Sequence, residues 1–339
     1  MTPTALILVT LSTFAHAFWN LLGKRRNPSA AFFLLSCLSG VVVITPLVLA
    51  FNGVLALIPA TVWGLLALTG IFQAIYFSGL AGAYRHGDMS VAYPLARALP
   101  AVLVALVSTL LGLGKALSVL GIVGILLVVA GCLMIPLASF GAWRLRDYLT
   151  PVCALALQAA CGTTGYTIID SEALRLLRAE AGLSFGTVEI SIVYIALETL
   201  ATLLALGGVV GFSAWERKTL STLRRSGWRT AALSGVIIAA TYGTVLVAMA
   251  FVSNVSYLAA FRELSIPIGA LLGIVIQKEP VRAPKLIGIG VVLRGVHHEH
   301  AARGEPTLLQ HVLGRDVEHA HLGGEHHEAA AGDHPATRS

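Results

Sequence analysis

The chain has 339 residues, of which 56% are hydrophobic and only 12% charged, and its mean hydropathy is +0.82. A soluble domain is about one quarter charged, so this balance excludes an ordinary water-soluble protein, and continuous apolar runs exclude a membrane barrel, whose strands alternate over roughly ten residues. The net charge of +6 is uneven: residues 1–296 carry 20 basic and 10 acidic side chains, residues 297–339 carry 3 and 7. Basic charge on a membrane domain belongs to its cytoplasmic loops rather than to nucleic-acid binding.

A helix needs about 20 apolar residues to cross a bilayer. That length predicts spans near 4–22, 29–51, 60–84, 91–113, 115–137, 149–169, 187–211, 228–252 and 254–277. No basic residue precedes the first span and Lys24-Arg25-Arg26 follows it. This reverses the charge order of a signal peptide, so the segment is expected to remain as a spanning helix. His16 and Asn20 stand four apart and share a helix face with Trp19 beside them. That face suits either a cavity wall or an interhelical hydrogen bond.

The fourth span follows the polar turn Arg85-His86-Gly87-Asp88 and carries Tyr93, Pro94, Arg97 and Pro100. A charge at that depth costs at least ~2.5 kcal/mol and ordinarily faces a cavity or a partner. Prolines there free backbone groups that protein or trapped water must satisfy. The sixth span holds Gly162-Thr163-Thr164-Gly165-Tyr166 and ends at Asp170; its small residues permit close helix approach, and Tyr166 and Asp170 are candidate cavity residues. Glu198, midway along the seventh span, must be protonated, paired or wet; it is the candidate for proton coupling. Tyr242 and Tyr257 are candidates for inward hydroxyls. Arg262-Glu263 lies close to the start of the ninth span, where a guanidinium can hold a carboxylate or phosphonate in a low-dielectric cavity, or can satisfy backbone carbonyls or snorkel to a headgroup; Glu263 is a candidate salt-bridge partner for it, a proton-coupling carboxylate, or both.

Two loops are expected to be long, 170–186 and 212–227, the second a basic amphipathic strip at a membrane surface. Trp63, Trp143, Trp215 and Trp228 fall at predicted span ends, as an aromatic belt requires. Cys37, Cys132, Cys153 and Cys161 lie in apolar segments, with no spacing that suggests a metal site or disulfide framework. A tenth apolar segment begins at Pro284 but meets Arg294 after Leu293, too short to span. Residues 297–339 are predicted to be a disordered tail with 9 of the 11 histidines. Clustered imidazoles bind metals, but these lack ligand spacing, so the tail reads rather as a non-native replacement for the end of a tenth helix. No metal or cofactor is expected, and no phosphate-cradling loop or catalytic constellation stands out, which argues against an enzyme. Counting Lys and Arg gives 14 in the odd-numbered loops and 3 in the even-numbered ones. The positive-inside rule then places the odd loops in the cytoplasm and the N-terminus outside.

The segments beginning at Gly87 and at Ser253 share an order of features. At an offset of about 166 residues Ser90 meets Ser256, Arg97 falls beside Arg262-Glu263, and Pro100 lies next to the counterpart of Pro267. An odd number of helices per half would leave the halves inverted in the membrane, a transporter signature. On HAFWNLLGKR at 16–25, YRHGDMSVAYPLARALP at 84–100 and FRELSIPIGALLGIVIQKEP at 261–280, the chain resembles the EamA-type members of the drug/metabolite transporter superfamily over residues 1–296.

The resemblance implies an all-α integral membrane fold of about ten helices in two inverted five-helix repeats. The repeats would be residues 1–137 and 138–296, with a central cavity between them. It further implies secondary transport, commonly export, of amino acids or similar small polar or anionic metabolites across the plasma (inner) membrane. The chain departs from the family in its short tenth helix, and in a charge count that puts the N-terminus outside where family members keep both termini in the cytoplasm. The alternatives are a transport-inactive member with a damaged tenth helix, or an intramembrane enzyme or sensor using Glu198, Arg97 and Arg262. Monomer and dimer both remain open.

Overall fold

The computed structural model describes residues 2–24, 29–86, 89–113, 118–134, 137, 139–142, 150–266, 268 and 281–301. Within that set the side chains of residues 17, 20–24, 89–95, 97, 98, 142 and 296–301 are outside the description. Among the described residues the regular structure is helical: α1 (Pro3–Lys24), α2 (Ala30–Ala50), α3 (Ala60–His86), α4 (Met89–Leu110), α5 (Val119–Met134), α6 (Pro151–Ala181), α7 (Thr187–Phe212), α8 (Ala214–Ser226), α9 (Trp228–Ala248), α10 (Val255–Arg262) and α11 (Ala283–Ala301). Five of them, with α9 extended to Phe251, are long and apolar enough to cross a membrane.

Local chemistry sets the ends. The Ser29 hydroxyl accepts a hydrogen bond from Phe32 N–H at 3.1 Å to open α2. Thr150 accepts from Cys153 N–H at 3.3 Å to open α6, with Pro151 in the first turn, where its missing N–H is harmless. Asn254 does the same for α10 through Ser256 N–H at 2.8 Å. The outer surface is lined with large aliphatics such as Val119, Leu110 and Leu204, at 78%, 75% and 69% exposure. A contiguous surface of that kind suits hydrocarbon rather than water. Trp63, Trp215 and Trp228 are also half-exposed, whereas Trp143 lies outside the described residues.

Three expected boundaries are corrected. Residues 170–181, expected as loop, continue α6. Their sequence is rich in good helix formers. Glu172 accepts two bonds from Arg175 one turn on, and Arg178 donates to Leu246 O at 2.7 Å, which ties this end to α9. Second, α5 is shorter than the expected 115–137. Third, α11 does not stop at Arg294 but runs to Ala301, through His297–His300, because no proline or turn chemistry interrupts it. The remainder of the tail and the second half of the expected ninth span fall outside the described residues.

Packing brings α3 against α6 and α7, α2 against α7 and α9, α1 against α9, α4 against α6 and α10, and α5 against α11. The closest seams are made by glycine. A Cβ on Gly162 would sit 2.6 Å from Tyr76 N, and one on Gly79 would sit 2.8 Å from Ala159 N, so α3 and α6 touch backbone to backbone. A Cβ on Gly131 would lie 2.7 Å from Gly288 O, and one on Gly295 the same distance from Gly124 O, which closes α5 on α11. Without a hydrophobic drive between helices in lipid, such contacts are a main source of association.

Candidate functional site

The apolar spans α2, α3, α7 and α9 each turn a few polar side chains inward. Ser36 and Cys37 come from α2, Gln73 and Tyr76 from α3, Glu198, Thr199 and Thr202 from α7, and Thr241 and Tyr242 from α9. Helices α1, α6 and α10 add His16 and Trp19, Tyr166, and Arg262. Together they line a cavity of about 60 Å³, room for a few waters. A solute larger than that does not fit between the walls as they stand.

Two buried carboxyl groups meet here with different surroundings. Asp170, expected on the cavity wall, lies a turn beyond Tyr166 with no exposure and is not among the described lining residues. Its Oδ1 accepts from Thr69 Oγ1 at 2.7 Å and from the Tyr194 hydroxyl at 2.8 Å, and its Oδ2 accepts from the Tyr242 hydroxyl at 2.6 Å. These three donors sit on α3, α7 and α9, so one carboxyl ties four helices together. Glu198, 1% exposed, accepts from the Gln73 amide through Oε1, while its Oε2 has no hydrogen-bond partner among the described residues. A buried polar atom left in that state is costly unless a ligand or a solvent molecule meets it.

The walls are aromatic. Tyr166 stands edge-on to Tyr76 and Tyr242, at centroid distances of 5.8 and 5.4 Å. Trp19 donates its indole N–H to His16 Nδ1 at 3.2 Å. The Arg262 guanidinium lies 5.4 Å from the centre of the Tyr242 ring, a cation–π distance. Arg262 is buried rather than snorkelling outward, and Glu263 beside it is buried but is not among the described lining residues.

Of the residues expected from sequence, the structure brings His16, Trp19, Tyr166, Glu198 and Arg262 to one cavity, with Tyr242. Tyr257 is buried elsewhere, against Gly121. Arg97 and Tyr93 lie on α4 and Asn20 on α1, and their side chains are outside the description. Sequence reasoning passed over Gln73, Thr69 and Tyr194. Gln73 carried a usable signal, since an amide in the middle of an apolar span needs a partner. Among the described residues no cluster of His, Cys, Asp or Glu has the composition of a metal site.

No family model matches the sequence, and no curated protein does. Among solved structures, one described only as the crystal structure of a protein aligns with a TM-score of 0.62 at 18% identity, covering 88% of this chain and 96% of its own. That likeness shows a shared fold.

Proposed function

We propose that the chain is a multi-pass membrane transporter of the EamA type, which carries a small polar metabolite across the plasma (inner) membrane by alternating access. The observation that carries this reading is the cavity: a mainly apolar, aromatic-walled chamber with a few polar and ionisable groups, lined from both halves of the chain and surrounded by helices with lipid-suited exteriors. Intramembrane ionisable residues such as Glu198 and Arg262 ordinarily mark substrate or ion pathways.

The helix contacts support the inverted-repeat architecture. If α1–α5 correspond in order to α6, α7, α9, α10 and α11, most of the strong contacts between halves have a strong swapped counterpart; α4 on α6 is the exception, its counterpart α10 on α1 being much slighter. Helix α3 on α6 answers α9 on α1, and α2 on α9 answers α7 on α3. The pairs α2–α7, α4–α10 and α5–α11 are their own counterparts. A two-fold relation between the halves would generate such a pattern, and transporters built that way bind their substrates at the repeat interface. Helix α11 has 19 residues, about 28 Å at the helical rise. It packs along α5, although it is not among the five helices apolar enough to cross a membrane; that packing is what supports an intact transporter over a damaged one.

The test is flux in proteoliposomes containing the full chain, loaded with a panel of labelled small amines and amino acids. Gradient-dependent exchange of at least one solute is expected. Arg262→Ala, at equal protein level, is expected to slow it at least ~10-fold, the loss that follows from removing one charge-assisted contact. Absence of exchange for the whole panel in wild type counts against transport.

A further inference from the structure

We propose that a second, apolar groove between α2, α7 and α9 holds one acyl chain of a membrane phospholipid, with the phosphate at its Arg178 end. The inference rests on these helices spanning a bilayer and is independent of transport. Its ground is the shape of the groove and the chemistry of its two ends.

The groove measures about 410 Å³, well above the ~150 Å³ of an apolar cavity that stays dry and takes up benzene. It runs from mid-helix to one end of the bundle: Gly40 to Leu47 on α2, Ile195 back to Val188 on α7, and Val236 to Val247 on α9. That stretch of α9 covers roughly 16 Å at the helical rise, close to the ~15 Å that one leaflet contributes to the hydrocarbon core. A volume of about 410 Å³ over this length leaves a section of roughly 25 Å², about 5 Å across. A helix from a second copy, at about 10–12 Å, is too wide to enter. A single polymethylene chain, whose carbons pack about 4 Å from their neighbours, fits. The floor is buried at Ile44, Ile195 and Ala239, whereas Val43, Leu47 and Val188 on the rim are half-exposed, so the groove opens sideways onto the surface suited to hydrocarbon.

Among the described residues no aromatic ring and no charge lines it. The Thr244 hydroxyl turns back to Ala240 O at 2.8 Å, which leaves Ser191, near the end of the bundle, as the polar mark on the wall. Ser191 accepts from the Arg178 guanidinium at 3.3 Å. Arg178 also donates to Leu246 O, but its Nε has no hydrogen-bond partner among the described residues, and no carboxylate among them lies at ion-pair distance. A phosphate oxygen supplies the acceptor that this cation lacks. The groove is therefore cationic at the bundle end and wholly apolar towards mid-helix, the polarity of a phospholipid in one leaflet. Glycine keeps it open: a Cβ on Gly243 would find only Ile195, at 3.9 Å.

The test is native mass spectrometry of the full chain, delipidated in detergent and reloaded with dioleoylphosphatidylglycerol or, as its phosphate-free counterpart, dioleoylglycerol. One phosphatidylglycerol per chain is expected to be retained, at least ~10-fold more tightly than the diacylglycerol, the margin of a charge-assisted contact. Gly243→Leu fills the groove and is expected to lower that retention at least ~10-fold through overpacking. Gly207→Leu on α7, where an added Cβ meets nothing, is expected to leave it unchanged. Arg178→Gln, expected to bring the two lipids within about twofold of each other, keeps the test decisive if the Gly243 variant fails to fold. No lipid retained by wild type, equal retention of the diacylglycerol, retention indifferent to Gly243→Leu, or a lipid-free dimer overturns the proposal. Flux is no part of the readout, so failure of the transport reading leaves this site standing.

Discussion

Asp170 and Glu198 show how much one side chain's neighbours decide. Both are carboxyl groups buried among apolar helices, yet Asp170 is a structural knot and Glu198 an open acceptor. Replacing Asp170 with alanine strands the hydroxyls of Thr69, Tyr194 and Tyr242. At about 1 kcal/mol or more for each orphaned buried donor, Asp170→Ala is expected to destabilise the protein by roughly 3 kcal/mol. Tyr242→Phe, which loses one of these bonds, is expected to cost about 1 kcal/mol. Reversible unfolding in mixed detergent measures both, and equal stability of Asp170→Ala and wild type would remove the knot from the account.

At the scale of elements, the α3–α6 seam and the α8 latch carry the argument. Gly162 leaves no room for a side chain against the Tyr76 backbone, so Gly162→Val is expected to lose about 2 kcal/mol through overpacking. Gly64, whose added Cβ meets nothing, supplies the control: Gly64→Ala is expected to be neutral or slightly stabilising in the same unfolding measurement. Helix α8 is the basic amphipathic strip expected from sequence, and its Ser213 cap accepts from Glu216 N–H at 3.3 Å. The buried Glu216 carboxylate then accepts from Ala30 and Ala31 N–H, at 3.3 and 2.9 Å, at the positive end of α2. Arg85 at the end of α3 lies 3.7 Å from the same carboxylate and 4.2 Å from the centre of the Trp215 ring. Glu216→Ala is expected to cost about 1 kcal/mol, as for loss of a helix cap. It should also raise proteolytic cleavage within α8, read by limited proteolysis of vesicles; an unchanged cleavage rate would mean the latch does not hold the helix.

For the whole molecule, the contact between α4 and α10 joins the two halves at a point where a cross-link is feasible. Ser108 and Ser256 share a hydrogen bond at 2.8 Å between their hydroxyl oxygens, close enough for cysteines at these positions to meet disulfide geometry after small adjustment. In the transport cycle proposed above, rocking of one half against the other would shear or open such contacts. The double variant Ser108→Cys/Ser256→Cys is therefore expected to lose flux on oxidation and regain it on reduction. Full flux in the oxidised protein would mean that α4 and α10 stay together through the cycle.

A helical protein, its long apolar segments and the polar residues inside them are all legible along the chain. Each follows from composition and local spacing along one helix: His16, Trp19, Tyr166, Glu198 and Arg262 are conspicuous because an apolar run makes every polar residue conspicuous. The same locality made the 170–181 end of α6 illegible, since polar residues read as loop when their contacts to α9 are unseen. Which carboxyl faces the cavity depends on contacts between distant helices. The donors that saturate Asp170 lie 101, 24 and 72 residues away in the chain, and hydrogen bonds between helices leave no periodic trace in the sequence of either one.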